Sequence, residues 1–381
     1  MDGMSALALR ALDNEFVADL KKHAAAVDRD GIFPARSIRA LQAYGLLSAT
    51  ARIEDGGQEI GLTRASEVVR LAGRGCASTA LIFAMQLIHL RVAARSGWPE
   101  HLRATVGRSA AQSGALINAL RVEPELGTPS RGGMPATLAR RTEHGWSITG
   151  RKIYSTGASG LAWMLVFATT DEPTPRMGQF LVPAGTPGIH IEATWDQLGL
   201  RGSSSHDVVF ADVAVPADHA VDLRAPTRWA QRDDEFAAWN TLLIGSLYTG
   251  VAEAARDWTV QFLRERSPAN LGAPLATLPR MQEAVGRIEA RIVTNRRLIA
   301  CAVADADAGR PPAASESALL KTVAADNAIE AVQAAVQLAG NHALARANPL
   351  ERHLRDVLCA RIHAPQPDTA YTAAGRIALG Q

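Results

Sequence analysis

The texture of the middle third constrains this chain more than any other feature. Short β-rich runs (Trp146–Thr149, Met164–Phe167, Phe180–Val182 and Val208–Phe210) follow one another between turn residues such as His144–Gly145 and Pro187–Gly188. That spacing predicts a small β unit. On either side the period is helical. Leu7, Leu9, Leu12, Phe16 and Leu20 recur near helical spacing, Pro34 opens a segment to Tyr44, and Thr63–Leu71 and Ser78–Ala94 carry apolar faces. From Phe236 four long helical stretches are expected, at about 236–265, 280–308, 315–345 and 350–362, with Gly309–Arg310–Pro311–Pro312 as a break. Helices, then a β unit, then helices is an α+β order, with boundaries expected at 1–111, 112–223 and 224–381 and a cleft where the layers meet.

With 381 residues, 47% of them hydrophobic, the chain has apolar material for two or three domains. Lys+Arg 40 against Asp+Glu 38 leaves +2 with no basic stripe, so nucleic acid is not an expected partner. Cys76, Cys301 and Cys359 are too few and too scattered for a disulfide framework, which suits a cytoplasmic setting. The charged start MDGMSALALRALDNEF lacks a signal-peptide core, and no run of 18 uncharged residues suggests a membrane span.

Generic motifs are mostly negative. Gly73–Arg74–Gly75 follows a helical stretch and lacks the third glycine of a dinucleotide fingerprint. There is no phosphate-binding loop, no Gly-x-Ser-x-Gly elbow and no histidine pair at metal-ligand spacing.

Several blocks in series resemble the acyl-CoA dehydrogenase superfamily of flavoproteins. They are Tyr44–Leu47, Glu54–Gly57 and Ser78–Leu81; Glu123–Thr128, similar to a Thr-Glu-Pro-x-x-Gly-Ser flavin loop; Gly150–Gly157, similar to a Lys-x-Trp-Ile-Thr-Asn strand; Leu198–Ser204 with Val209–Pro216; and Gln337–Gly340 with Arg352–Asp356. The resemblance implies an N-terminal helical domain, a middle β-barrel or sandwich domain and a C-terminal four-helix bundle. It also implies a bound flavin, FAD or FMN. An isoalloxazine needs a hydrogen-bond partner at N5 and backbone amides at its pyrimidine edge; Thr156 on the strand-like segment, Tyr154 beside it, and the backbone at Val122 and Thr128 match those positions. Arg266, Gln337 and Gly340 resemble contacts to flavin phosphates from a neighbouring subunit. A homotetramer is expected, built by 236–265, 280–308 and 315–345, whose apolar stripes exceed what one bundle buries.

Acyl-CoA dehydrogenation requires a carboxylate to take the α-proton. Aligning on Arg355–Asp356 puts Ala364 at the usual glutamate position, and aligning on Gly250 puts Asn240 at the alternative one. Neither is a base. Ile362–His363–Ala364–Pro365 resembles instead the two-component flavin monooxygenases similar to dibenzothiophene monooxygenase. Those enzymes take reduced flavin from a separate reductase and form a C4a-hydroperoxyflavin with molecular oxygen. That resemblance implies catalytic roles for His363, His89 and Ser155, a near-neutral histidine suiting the proton of the peroxide. His363 would equally cap the preceding helix, and His89 would equally be a core histidine. The first expectation is a monooxygenase acting on a small aromatic, polycyclic or thioester-linked molecule. A dehydrogenase or oxidase with an atypical base and a catalytically silent flavoprotein stay open beside it.

Overall fold

The computed structural model describes residues 6–126, 133–229 and 233–381. Five helices come first: α1 (Ala6–Asp30), α2 (Ala35–Ala43), α3 (Leu62–Gly75), α4 (Ala77–Arg95) and α5 (Glu100–Ser113). Eight strands follow: β1 (Leu116–Leu120), β2 (Leu138–Thr142), β3 (Gly145–Lys152), β4 (Leu161–Thr170), β5 (Met177–Pro183), β6 (Ile189–Glu192), β7 (Asp207–Pro216) and β8 (Ala220–Arg224). The chain ends in helices α6 (Pro226–Trp229), α7 (Asp234–Glu265), α8 (Pro279–Asp307), α9 (Ala314–Ala339), α10 (Asn341–Leu344), α11 (Pro349–Leu358) and α12 (Pro367–Ala378). This is the α+β layout that the alternating and helical periods predict. Two expected helices are shorter. The stretch 315–345 breaks at Gly340, whose φ of 56° and ψ of −135° leave the helical region, and 350–362 stops at Leu358 before a 3-10 turn. The periodicity reading did not single out α5 or α12.

The strands form one eight-stranded sheet in the order β6-β7-β3-β2-β4-β5-β8, with β1 parallel to β4. Trp146 on β3 and Phe180 on β5 meet edge to face at 5.5 Å in its core. α4 is long and apolar enough to cross a membrane by composition alone, yet 78% of its apolar window is buried; it is the central core helix of the N-terminal layer.

α7 is the spine that joins the layers, packing on α3, α4, α8, α9 and α11. It approaches α3 at two glycines. A Cβ on Gly73 would stand 2.3 Å from the Leu247 carbonyl oxygen, and one on Gly250 would stand 2.0 Å from that of Arg70. Any side chain there would force the helices apart, so Gly73 is a packing glycine, as its lack of a nucleotide-loop context suggests.

Candidate active site

Tyr154, Ser155 and Thr156 lie in a loop and not on a strand, a correction to the sequence reading. β3 ends at Lys152, Tyr154 takes a left-handed φ of 55°, and the Thr156 amide turns back to the Tyr154 carbonyl at 3.0 Å. The turn presents three side chains differently. Tyr154 is 57% exposed, its ring edge-on to Trp195 at 6.3 Å. Ser155 is buried, and its hydroxyl has no hydrogen-bond partner among the described residues. Thr156 accepts a hydrogen bond from Ser205 at 3.0 Å, which leaves its own hydroxyl proton free to be donated.

Beside this loop opens a cleft of about 380 Å3, lined by Tyr154, Trp195, Ser205, Pro124 and Arg151 among others, within the usual size range of small-ligand sites. The Val122 carbonyl accepts from the Ile153 amide at 2.9 Å, which ties the segment after β1 to the loop after β3. Thr128 lies outside the described residues.

Two motif residues beneath the cleft are structural. The Lys152 ammonium and the Glu123 carboxylate meet at 2.5 Å, both buried, and Glu123 also accepts from the Ala136 amide and from the Thr137 amide and hydroxyl. Burial alone would raise the Glu123 pKa, but the Lys152 charge and these hydrogen bonds bring it below its ordinary value. For Lys152 desolvation wins, and its pKa falls to about 8. The pair anchors the residues that flank the cleft.

The segment after α11 meets α7. Nε2 of His363 stands 2.8 Å from the Tyr248 hydroxyl. Two turns earlier on α7, the Asn240 amide reaches the Ala364 carbonyl at 3.5 Å. The two positions that the resemblance aligns with a catalytic glutamate are therefore in contact, and neither holds a carboxylate. Lys321 on α9, almost fully buried, donates to the His363 carbonyl at 2.7 Å and to that of Pro365 at 3.2 Å, which fixes the backbone of the segment. Asp356, whose charge reaches Tyr248, accepts the Leu200 amide at 2.7 Å and is held there.

The expectation of a near-neutral histidine does not hold. Desolvation, with the Lys321 charge adding to it, lowers the His363 pKa to about 4. Desolvation and the Arg121 charge lower that of His89 to about 3. Both are neutral imidazoles at physiological pH, so His363 carries no charge with which to cap the α11 dipole. Tyr248, whose pKa burial raises well above its ordinary value, stays protonated. The phenol and Nε2 share one hydrogen bond that orients the neutral ring, and Nδ1 has no hydrogen-bond partner among the described residues. His89, on α4, is 5% exposed, and its Nδ1 is buried without a partner among the described residues. His89 and His363 are not in contact: α7 separates their positions along its length, His89 facing Phe236 at 6.4 Å and His363 facing Tyr248.

The block Leu198–Ser204 docks on α11. Besides the Leu200–Asp356 bond, Arg355 donates to the Leu198 carbonyl at 2.9 Å and pairs with Asp28, and a Cβ on Gly199 would stand 2.3 Å from the Arg355 carbonyl oxygen. These two motifs lock the three layers together. Gln337 on α9 and Arg266 and Gly340, just past the ends of α7 and α9, are exposed, and none of them is among the cleft-lining residues.

Sequence reasoning missed Tyr248, Lys321 and Arg121. The available signal was chemical: Lys321 is one of only four lysines and stands in an otherwise apolar helical run.

Three family models match in order: acyl-CoA dehydrogenase N-terminal domain over 6–110, middle domain over 122–213 and C-terminal domain over 242–366. The chain is 33% identical over 358 residues to the putative acyl-CoA dehydrogenase YdbM of Bacillus subtilis (strain 168), covering 92% of this chain and 91% of that protein. It is 29% identical to the human mitochondrial short-chain specific acyl-CoA dehydrogenase, covering 89% and 81%. Among solved structures it is similar to KijD3 in complex with FMN and dTDP-3-amino-2,3,6-trideoxy-4-keto-3-methyl-D-glucose, at 28% identity and a TM-score of 0.84, covering 97% and 93%. The matched order of domains and the glycine-locked docking of the motifs agree, and the chain belongs to the acyl-CoA dehydrogenase family of flavin-dependent oxidoreductases.

Proposed function

We propose that this chain is a flavin-dependent monooxygenase acting on a small aromatic, polycyclic or thioester-linked molecule, with its reduced flavin delivered by a separate reductase. The observation that carries the reading is the contact of Asn240 with Ala364: where a dehydrogenase needs a base, two groups without basicity fill the space. The residues beside the cleft fit a flavin. Thr156 has a hydroxyl proton to give, Ser155 has a buried hydroxyl in want of a partner, and Tyr154 offers an exposed aromatic face next to them. The relation to KijD3, which was solved with FMN, favours FMN.

When bound in reduced form, the flavin supplies the two electrons that reduce dioxygen, one oxygen atom entering the substrate and the other leaving as water. The protein's part is positional. Tyr248 holds the neutral His363 ring through Nε2; with the phenol as donor, Nδ1–H is a neutral hydrogen-bond donor, and Lys321 holds the backbone that carries the ring. Burial of Tyr248 and Lys321 keeps water from that end of the site.

The names of the sequence relatives favour a second reading, dehydrogenation with an atypical base. Reductase-coupled turnover separates the two. Oxygen consumed in step with substrate oxygenation supports the monooxygenase, and product formed without oxygen supports the dehydrogenase. His363→Ala is expected to keep flavin binding and cut oxygenation by about 10²–10⁴, hydrogen peroxide replacing product.

The assembly belongs to the same reading. Val293, Val323, Leu344, Leu358, Ile362, Tyr371, Ile377 and Leu379 are exposed large apolar residues of the C-terminal helices and their connections, a surface suited to a homotetramer. Arg266, Gln337 and Gly340 would then reach a neighbour's flavin. A cytoplasmic setting is part of this proposal.

A further inference from the structure

Arg121 follows β1 directly and points at the start of α7, its guanidinium carbon 5.2 Å from the centre of the Phe236 ring. Among the described residues it has no ion pair and no side-chain hydrogen bond, and its Nε is buried without a partner. The carboxylate whose charge reaches it, Asp222, is already engaged twice by Arg224, at 2.7 and 2.9 Å. His89 packs against the same ring, near enough for the Arg121 charge to act on it, and its Nδ1 is also buried and unpartnered among the described residues. Every other arginine given a buried, unpartnered Nε, namely Arg74, Arg91 and Arg103, has a carboxylate on another of its nitrogens. Arg121 does not.

Phe236 and Asn240 are four residues apart on α7 and share a face, about 6 Å from one another along the axis. The unpaired cation therefore lies about one helical turn from the contact that replaces the catalytic base. A buried polar group without a partner costs stability, and two of them around one ring are explained by a ligand that completes them.

We infer that Arg121 and His89 form an anion-binding subsite for a carboxylate on the substrate, the guanidinium pairing with it and the imidazole adding a hydrogen bond. This deepens the proposed function, since it rests on reading this region as the substrate site, but it does not depend on the reaction class. The assignment narrows the substrate to one with a free carboxylate near the reacting group, held by the planar fork that suits a carboxylate.

The test is calorimetric titration of the flavin-loaded and flavin-free protein with benzoate, butyrate and glutarate, each beside its uncharged amide. The expected result is at least a tenfold preference for carboxylate over amide for one of the acids. Arg121→Gln should abolish that preference while flavin affinity stays unchanged and the thermal midpoint of the ligand-free protein does not fall, and Arg121→Lys should keep part of it. Equal or absent binding of acid and amide to the wild type, or a preference that survives Arg121→Gln, would overturn the subsite. Binding needs no turnover, so loss of the monooxygenase reading would leave this result standing, and the reverse holds as well.

Discussion

The Tyr248 hydroxyl and Nε2 of His363 lie 2.8 Å apart across the junction of α7 with the segment after α11. A buried, protonated phenol there fixes the orientation of the neutral imidazole. Tyr248→Phe should therefore lower oxygenation by roughly tenfold to a hundredfold without altering flavin affinity, whereas a purely structural tyrosine would cost stability and spare the coupling of oxygen to product. The comparison of peroxide and product yields in the two proteins measures this.

Stability should fall in mild acid. The folded pKa values of His89 and His353 are about 3 and that of His363 about 4, all below the ordinary 6.5. Between those values and 6.5 the unfolded chain binds more protons, so acidification favours unfolding. Each such histidine contributes a slope of at most about 1.4 kcal/mol per pH unit. Asp356, raised by burial to about 6, acts in the opposite sense between 6 and its ordinary value and offsets about one of the three. Urea unfolding of the flavin-free protein at pH 7 and pH 5 is expected to show lower stability at pH 5; equal or greater stability there would contradict the assignment of neutral histidines.

Glu123→Gln leaves the Lys152 ammonium buried without its counter-charge. The expected loss is about 3–5 kcal/mol, read as a shift of the urea midpoint. Replacing both partners, Glu123→Gln with Lys152→Met, should recover much of that loss.

Thr156→Val removes the hydroxyl that Ser205 orients. Flavin affinity, followed by quenching of flavin fluorescence, should drop by about tenfold, the equivalent of about 1.4 kcal/mol, with little change in the stability of the flavin-free protein.

The architecture was legible because the two periods, 2 and 3.6, alternate cleanly along the chain, and because glycines such as Gly199 and Gly250 sit inside blocks whose docking demands them. Of the candidate cleft, the contiguous motif pointed to Tyr154, which lines it, and to Ser155 and Thr156 beside it in the chain. The Tyr248–His363 pair joins residues 115 apart in sequence, and the Lys321 contacts join α9 to a loop 42 and 44 residues on. No local pattern encodes such a pairing. The histidine protonation states were misjudged for a related reason, since desolvation depends on everything that packs around a ring and not on its neighbours in the chain. The loop that carries Thr156 was taken for a strand because its first left-handed position is Tyr154 and not a glycine, Gly157 coming only after Thr156.

The central claim is that nothing at the Asn240–Ala364 contact takes a proton from the carbon next to a thioester. Loss of a positioned general base costs about 10²–10⁴ in rate, and Ala364→Glu is expected to give little rescue because the new carboxylate must also meet a correctly posed substrate. The direct measurement is the absorbance of the flavin-loaded wild type after anaerobic mixing with a panel of saturated acyl-CoA thioesters. The flavin is predicted to stay oxidised with every member of the panel. Rapid bleaching by any one of them would show a working base and contradict the account.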